Sequence, residues 1–346
     1  MTKTRFTIFC VMLISACWTL PSCGKKTEEP QAKKIIIGFS QIGSESAWST
    51  ANSESLKSEA ARRGVDFRFN DGQNQQENQI KALRSFIQQK VDCIIVSPET
   101  TLGWTKVLQE AQAADIPVIL SGREVDVDDP SLYATFVGSD FVEEGRNAAQ
   151  WFIENTTGEV KVFELQGSPG ASCATERKQG FDEGIAAHSR ITIIKSQDAA
   201  FTQAKGKQVT EAFLKTPASK GVNALYAHND NMALGAIQAI RAAGLKPGVD
   251  IKIVSIDGVR GAFEAMIAGE LNCTIECNPL LGPKLFDVAE AILAAKKLKA
   301  LAIKHKLLPE EAIEALGGKT FEKKLIIKDK VFDQSVAKEM IGTRKY

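Results

Sequence analysis

The chain has 346 residues, a length that suits two domains better than one, and its formal net charge of +1 supplies no field to hold nucleic acid or an acidic partner. With 44% hydrophobic and 25% charged residues it has the composition of an ordinary soluble protein. His188, His228 and His305 are dispersed and no zinc-type cysteine spacing occurs, so nothing points to a metal site.

Residues 1–23 stand apart from the rest. Lys3 and Arg5 precede a mostly apolar run from Phe6 to Trp18, and Leu20, Pro21, Ser22 and Cys23 close the segment. This is the layout of an export signal, and the apolar run is shorter than the roughly 20 residues of a membrane span. Residues 24–34 (GKKTEEPQAKK) are polar and aperiodic, as a flexible tether would be.

From Ile35 apolar runs alternate with helical patterns. Strands are expected at 35–40, 66–69, 93–97 and 118–121, with helices at 49–63, 75–89 and 103–114 between them. The rhythm then restarts: strands at 160–165, 191–197, 224–228, 251–256 and 273–277, helices at 173–187, 203–215 and 232–243. A helix at 283–297, a charge-rich stretch at 299–323 read as a solvated face, and a short strand at 325–327 follow. Strands separated by helices of this length call for parallel βαβ units, here an α/β chain of two doubly wound parallel sheets.

The apolar runs stop on polar residues, as in Phe39-Ser40-Gln41, Ser121-Gly122-Arg123, His228-Asn229-Asp230 and Ser255-Ile256-Asp257. In open α/β sheets ligands bind at the carboxyl ends of strands, so these residues belong to a cleft between the two units. Cys93, Cys173, Cys273 and Cys277 are expected to be buried free thiols. In particular, Cys273 and Cys277 lie about 13 Å apart along one strand, beyond disulfide reach. Asp257, Glu45 and Arg177 are chemically able to act as acid, base and electrostatic stabiliser. The absence of a G-x-S-x-G elbow, a phosphate loop or a metal cluster speaks against an enzyme.

The motifs at 38–48 (GFSQIGSESAW), 71–73 (DGQ), 77–80 (ENQI), 164–167 (ELQG), 177–181 (RKQGF), 226–230 (YAHND) and 255–259 (SIDGV) together resemble the sugar-binding proteins of bacterial ABC importers. The likeness is to the ribose- and galactose-binding type, galactofuranose binders in particular, and spans residues 35–295. It implies a type I periplasmic binding protein: two Rossmann-like lobes joined by a three-strand hinge, with crossings near Ser139, Asp257 and Asn278. Residues 35–138 plus 278–300 would form the N-terminal lobe and 139–277 plus 301–346 the C-terminal lobe. The implied function is closure over one monosaccharide, a galactofuranose- or galactose-like hexose, for delivery to an ABC permease and ATPase complex. A chemosensory receptor is a further implied partner, and a sensor for a sugar or another small metabolite such as a nucleoside is the alternative role. The resemblance implies no cofactor and a monomer.

The same likeness assigns the site. Trp48 and Phe201 would be the two aromatic plates, one from each lobe, with core packing as the alternative for either. Arg177 would fork onto hydroxyls, a surface salt bridge being the alternative. Asn229, Asp257 and Asp230 end strands and serve either as ligand contacts or as helix caps. Arg123, Glu45, Ser44 and the hinge residue Cys277 complete the ligand-binding set. Cys23 matches a lipobox cysteine, so the membrane would be reached only through a lipid anchor. Two positions depart from the family pattern. Gly122 stands where an aspartate normally precedes the arginine, leaving Glu124 or Glu45 to replace it, and Ser49 stands where galactofuranose binders carry an arginine.

Overall fold

A computed structural model describes residues 34–306 and 322–346. The export segment with Cys23, tether residues 24–33 and the central part of the charge-rich stretch, 307–321, lie outside the described residues.

Two six-stranded sheets form the frame. The first comprises β1 (Ile36–Gln41), β2 (Asp66–Asp71), β3 (Cys93–Val96), β4 (Val118–Ser121), β5 (Thr135–Ser139) and a late strand β11 (Lys324–Ile327), in the order β11-β5-β4-β3-β1-β2, all parallel. The second comprises β6 (Val160–Gln166), β7 (Ile191–Asp198), β8 (Ala224–Ala227), β9 (Lys252–Asp257), β10 (Cys273–Glu276) and β12 (Val331–Asp333), in the order β12-β10-β9-β8-β6-β7, with only β12 antiparallel. Interior strands such as β3 (CIIV) and β4 (VILS) are buried at every position, because helices cover both faces of a parallel sheet. The edge strands β2 and β7 are half exposed and correspondingly polar.

Seven helices lie where the periodicity places them, and two more, over 141–155 and 260–267, were not expected. α1 (Ala47–Arg63) starts at Ser46, whose hydroxyl accepts from the Ser49 N–H, and stops at Gly64 in the left-handed region. α2 (Gln76–Gln88) and α3 (Thr105–Ala113) also belong to the first lobe. α4 (Phe141–Asn155), α5 (Ser172–Ile185), α6 (Gln203–Leu214), α7 (Asp230–Ala242) and α8 (Arg260–Ile267) cover the second sheet. α9 (Gly282–His305) returns to pack on α1, β3 and β4, where Leu285 and Phe286 join Ile37, Phe39 and Leu56 in the core. The four cysteines of the described residues are free and buried.

The chain passes between sheets three times: after Ser139, between β10 and α9, and between β11 and β12. Two expectations are corrected here. No crossing occurs at Asp257, because β9, α8 and β10 are one ordinary βαβ unit of the second sheet. The third crossing is at residues 328–330 instead. Nor does 301–346 belong wholly to the C-terminal lobe: α9 runs on to His305, and β11 pairs with β5, Leu325 beside Val137, as an edge of the first sheet. Among the described residues no helix is long and apolar enough to cross a membrane.

Candidate functional site

The carboxyl ends of both sheets face one another, and loops from the two lobes meet over a small, partly open chamber of about 30 Å³. Its walls include Glu45, Ser46, Trp48, Arg123, Arg177, Phe201, Asn229, Asp257 and Cys277. Backbone N–H groups of the first lobe bond to the second around it: Thr101 N donates to Gly170 O at 2.8 Å, Ala47 N to the side-chain Oδ1 of Asn231 at 3.3 Å and Glu124 N to the Ser172 hydroxyl at 3.0 Å.

Trp48 lies in the first turn of α1, and its Nε1 donates to the Cys277 carbonyl, 2.8 Å away in the second hinge crossing. Its ring rests on Gly122, which has a φ of +66° and no room for a side chain: a Cβ there would stand 2.5 Å from Trp48 Cη2. A side chain at position 122 is therefore excluded by packing, because the indole occupies its space. Gly122→Ala is expected to destabilise the protein by about 1–3 kcal/mol through backbone strain and to weaken ligand binding by displacing the indole. Urea unfolding and calorimetric titration would check this; unchanged stability and affinity would mean the ring does not need the bare Cα.

Two buried guanidinium groups define the chamber's electrostatics. Arg177, on α5, donates from Nε to Glu144 Oε2 at 2.7 Å and from Nη1 to the His228 carbonyl at 2.6 Å, with Nη2 3.7 Å from Asp257 Oδ1. Its Cζ also lies 5.4 Å from the centre of the Phe141 ring. Burial pushes the Glu144 and Asp257 carboxyls up, and the positive charge of Arg177 opposes the shift in both. Asp257 has a φ of +124°, a strained conformation for a non-glycine residue and one that collects at ligand sites. Arg123, on the first lobe, lies with its Cζ 5.3 Å from the centre of the Phe201 ring of the second, a cation–π contact that joins the two lobes.

The remaining assignments divide. Asn229 lines the chamber but also caps α7, accepting from Met232 N at 2.9 Å, and its Nδ2 donates to the Phe201 carbonyl at 3.1 Å, fixing that aromatic in place. Asp230 does not line the chamber: it is fully buried and accepts from Ser255 Oγ, from Thr274 Oγ1 at 2.8 Å and from Val259 N at 2.8 Å, so it ties α7 to the sheet. Ser44 is exposed and is not part of the wall, whereas Ser46, two residues on, is. Of the carboxylates expected to stand in for the missing aspartate, Glu124 pairs with Lys324 at 2.7 Å, while Glu45 stands 3.8 Å from Arg123. Ser49 Oγ donates to Glu45 Oε1 at 2.7 Å, and Oε2 is buried without a partner.

The periplasmic binding protein domain profile matches residues 37–297. The chain belongs to the periplasmic binding protein family. Members of this family are substrate-binding transport proteins rather than enzymes, and the chain is an exported, periplasmic protein of that kind. This periplasmic binding protein is 48% identical over 261 residues to the galactofuranose-binding protein of Escherichia coli K12, covering 75% of this chain and 82% of the relative. It is 45% identical to the binding component of the arabinose ABC transporter from Shewanella sp. ANA-3, solved with α- and β-L-arabinofuranose. That match has a TM-score of 0.81 and covers 90% of this chain and 96% of the other. A Mycobacterium smegmatis structure in complex with β-D-fucofuranose is 43% identical, with a TM-score of 0.79, covering 90% and 95%.

Several residues in or beside the candidate site escaped sequence reading. Phe141 follows a strand whose polar end, Ser139-Asp140, carries the same signal as the others. Cys173 opens α5 one turn before Arg177, a spacing that puts both on one face. Glu144 gave no such signal: its role depends on Arg177, 33 residues away.

Proposed function

We propose that this substrate-binding component of an ABC sugar importer captures one monosaccharide in a furanose ring form, galactofuranose or a close analogue, and presents it to the permease and ATPase complex by lobe closure. The observation that carries this reading is the chamber between the lobes, which sets Trp48 and Phe201 beside two guanidinium groups and the carboxylates of Glu45 and Asp257. A sugar has an apolar C–H face and a rim of hydroxyls that donate and accept, and this wall offers both an aromatic surface and charged partners of either sign. The free oxygen of Glu45 is an acceptor awaiting a hydroxyl. The furanose form follows from the arabinofuranose, fucofuranose and galactofuranose ligands named for the similar proteins. The proposal includes a monomer held at the membrane surface through lipidated Cys23, with sensing by a membrane receptor as a second use of the same closed form.

Only the closed form brings Trp48 and Arg123 together with Arg177, Asn229 and Phe201, so a ligand touching both sets favours closure by its differential affinity. Methyl β-D-galactofuranoside is expected to raise the melting temperature saturably, and methyl β-D-galactopyranoside, whose ring cannot reopen, to leave it unchanged. L-arabinose, D-ribose and adenosine complete the panel. A response to the pyranoside alone would overturn the furanose assignment, and a response to adenosine alone would overturn the sugar.

A further inference from the structure

Arg123 is buried in the first lobe's wall, and its neighbour Gly122 has no side chain with which to balance it. Its charge is met from elsewhere. Nη1 donates to the Glu99 carbonyl at 3.1 Å and lies 3.5 Å from Glu99 Oε2, while Nη2 stands 3.8 Å from Glu45 Oε1. These two carboxylates are not equivalent. Glu45 lines the chamber and keeps one buried oxygen unpartnered; Glu99 stays outside it, in the loop between β3 and α3.

That loop is fixed on several sides. Glu99 N donates to Oε1 of the buried Gln79 at 2.9 Å, and Gln79 Nε2 donates to Ser97 O at 2.7 Å. Trp104 Nε1 holds the Thr100 carbonyl at 2.7 Å, and Thr101 N reaches Gly170 of the opposite lobe. Burial pushes the Glu99 carboxyl up while Arg123 pulls it down, so the group answers directly to the guanidinium.

We infer that Glu99 is a positioning residue of the sugar site, holding Arg123 by its Nη1 edge and thereby leaving the second oxygen of Glu45 to accept from a ligand hydroxyl. A buried guanidinium requires a counter-charge. Without Glu99 the remaining carboxylate in reach is Glu45, and a bidentate ion pair between the two would remove both from the ligand.

This inference rests on the sugar reading, and two measurements keep the two separable. In the ligand-free protein, a crystal structure of Glu99→Gln is expected to show Arg123 swung onto Glu45, within about 3 Å; an unmoved Arg123 overturns the inference whichever ligand the protein takes. With the sugar the wild type binds, Glu99→Gln is expected to lose about tenfold in affinity or more, and Glu99→Asp to recover part of it. In a Glu45→Gln background the loss from Glu99→Gln should shrink, because the oxygen being spared is no longer a carboxylate. Losses that simply multiply, or a Glu99→Gln variant that binds as the wild type does, would assign Glu99 to the fold alone.

Discussion

Arg177→Ala is expected to abolish tight ligand binding and to destabilise the protein by about 3–5 kcal/mol, the range for breaking a buried ion pair from one side. The guanidinium is the shared counter-charge of Glu144 and Asp257, both buried, and it also ties α5 to the carbonyl at the end of β8. Removing it leaves two carboxylates facing each other's field with only protonation as relief. The deficit should therefore shrink as pH falls, since an acid whose folded-state pKa is raised gains stability on protonation. Arg177→Lys keeps the charge but not the planar fork that reaches Glu144, the His228 carbonyl and the chamber together, so it should recover stability better than affinity. Urea unfolding at pH 7.5 and pH 5.5, paired with calorimetric titration of the ligand, would check all three statements. If Arg177→Ala kept its unfolding midpoint at both pH values, the carboxylates would have another counter-charge.

The βαβ rhythm, the two-lobe organisation and most of the chamber wall were legible because they depend on local signals: apolar runs, helix periodicity and the polar residue that ends a strand. Arg123, Asn229 and Asp257 meet in the chamber wall for that reason, whereas Arg177 and Phe201, which lie in the same wall, came from the family likeness. The rhythm failed where it is broken. Between β4 and β5 no α-helix intervenes, only a short 3-10 turn at Pro130–Leu132, so β5 and the helix after it were not read as a unit. β12 has three residues, too few for any period, and the third hinge crossing is the charged triplet Lys328-Asp329-Lys330, which reads as surface. Asp257 ends a strand at the cleft as a hinge residue would, yet the short α8 turns the chain back into the same lobe. Asp230 was ambiguous because its partners Ser255 and Thr274 lie 25 and 44 residues downstream. Ser46 is the buried N-cap of α1 and Ser44 lies exposed two residues before it, a distinction that the serine-rich loop sequence does not encode.

Stability should increase as pH falls from about 8.5 to about 6.5, and the hinge explains the direction. Residues from all three crossings converge there. Ser139 Oγ lies 3.5 Å from Cys277 Sγ, and Asp329 Oδ1 and Glu144 Oε1 are both buried without a partner. Burial and the neighbouring Glu144 push Asp329 up to about 8, with Glu276 adding to the rise and Ser139 and Arg177 opposing it. Burial and Glu124 likewise push Glu176, on α5, up to about 7. In the unfolded chain both groups titrate near 4. Between that value and the folded one the native state holds a proton that the unfolded state releases, so this contribution is complete at low pH and is lost as pH rises through 7 to 8. Glu59 does not oppose the trend in this window: Arg62 and Arg63 hold it down to about 2, so its contribution persists until far lower pH. His228 does oppose it below about 6.5, because burial keeps its ring neutral while the unfolded imidazole takes a proton, which flattens the curve there. Asp329→Asn removes the largest of these shifts and is expected to stabilise the protein by about 1–3 kcal/mol at pH 8 and by little at pH 5.5. An unchanged pH slope in that variant would move the titration away from the hinge. A reduced slope would show that folding packs a carboxyl among the hinge strands that is most stable when protonated.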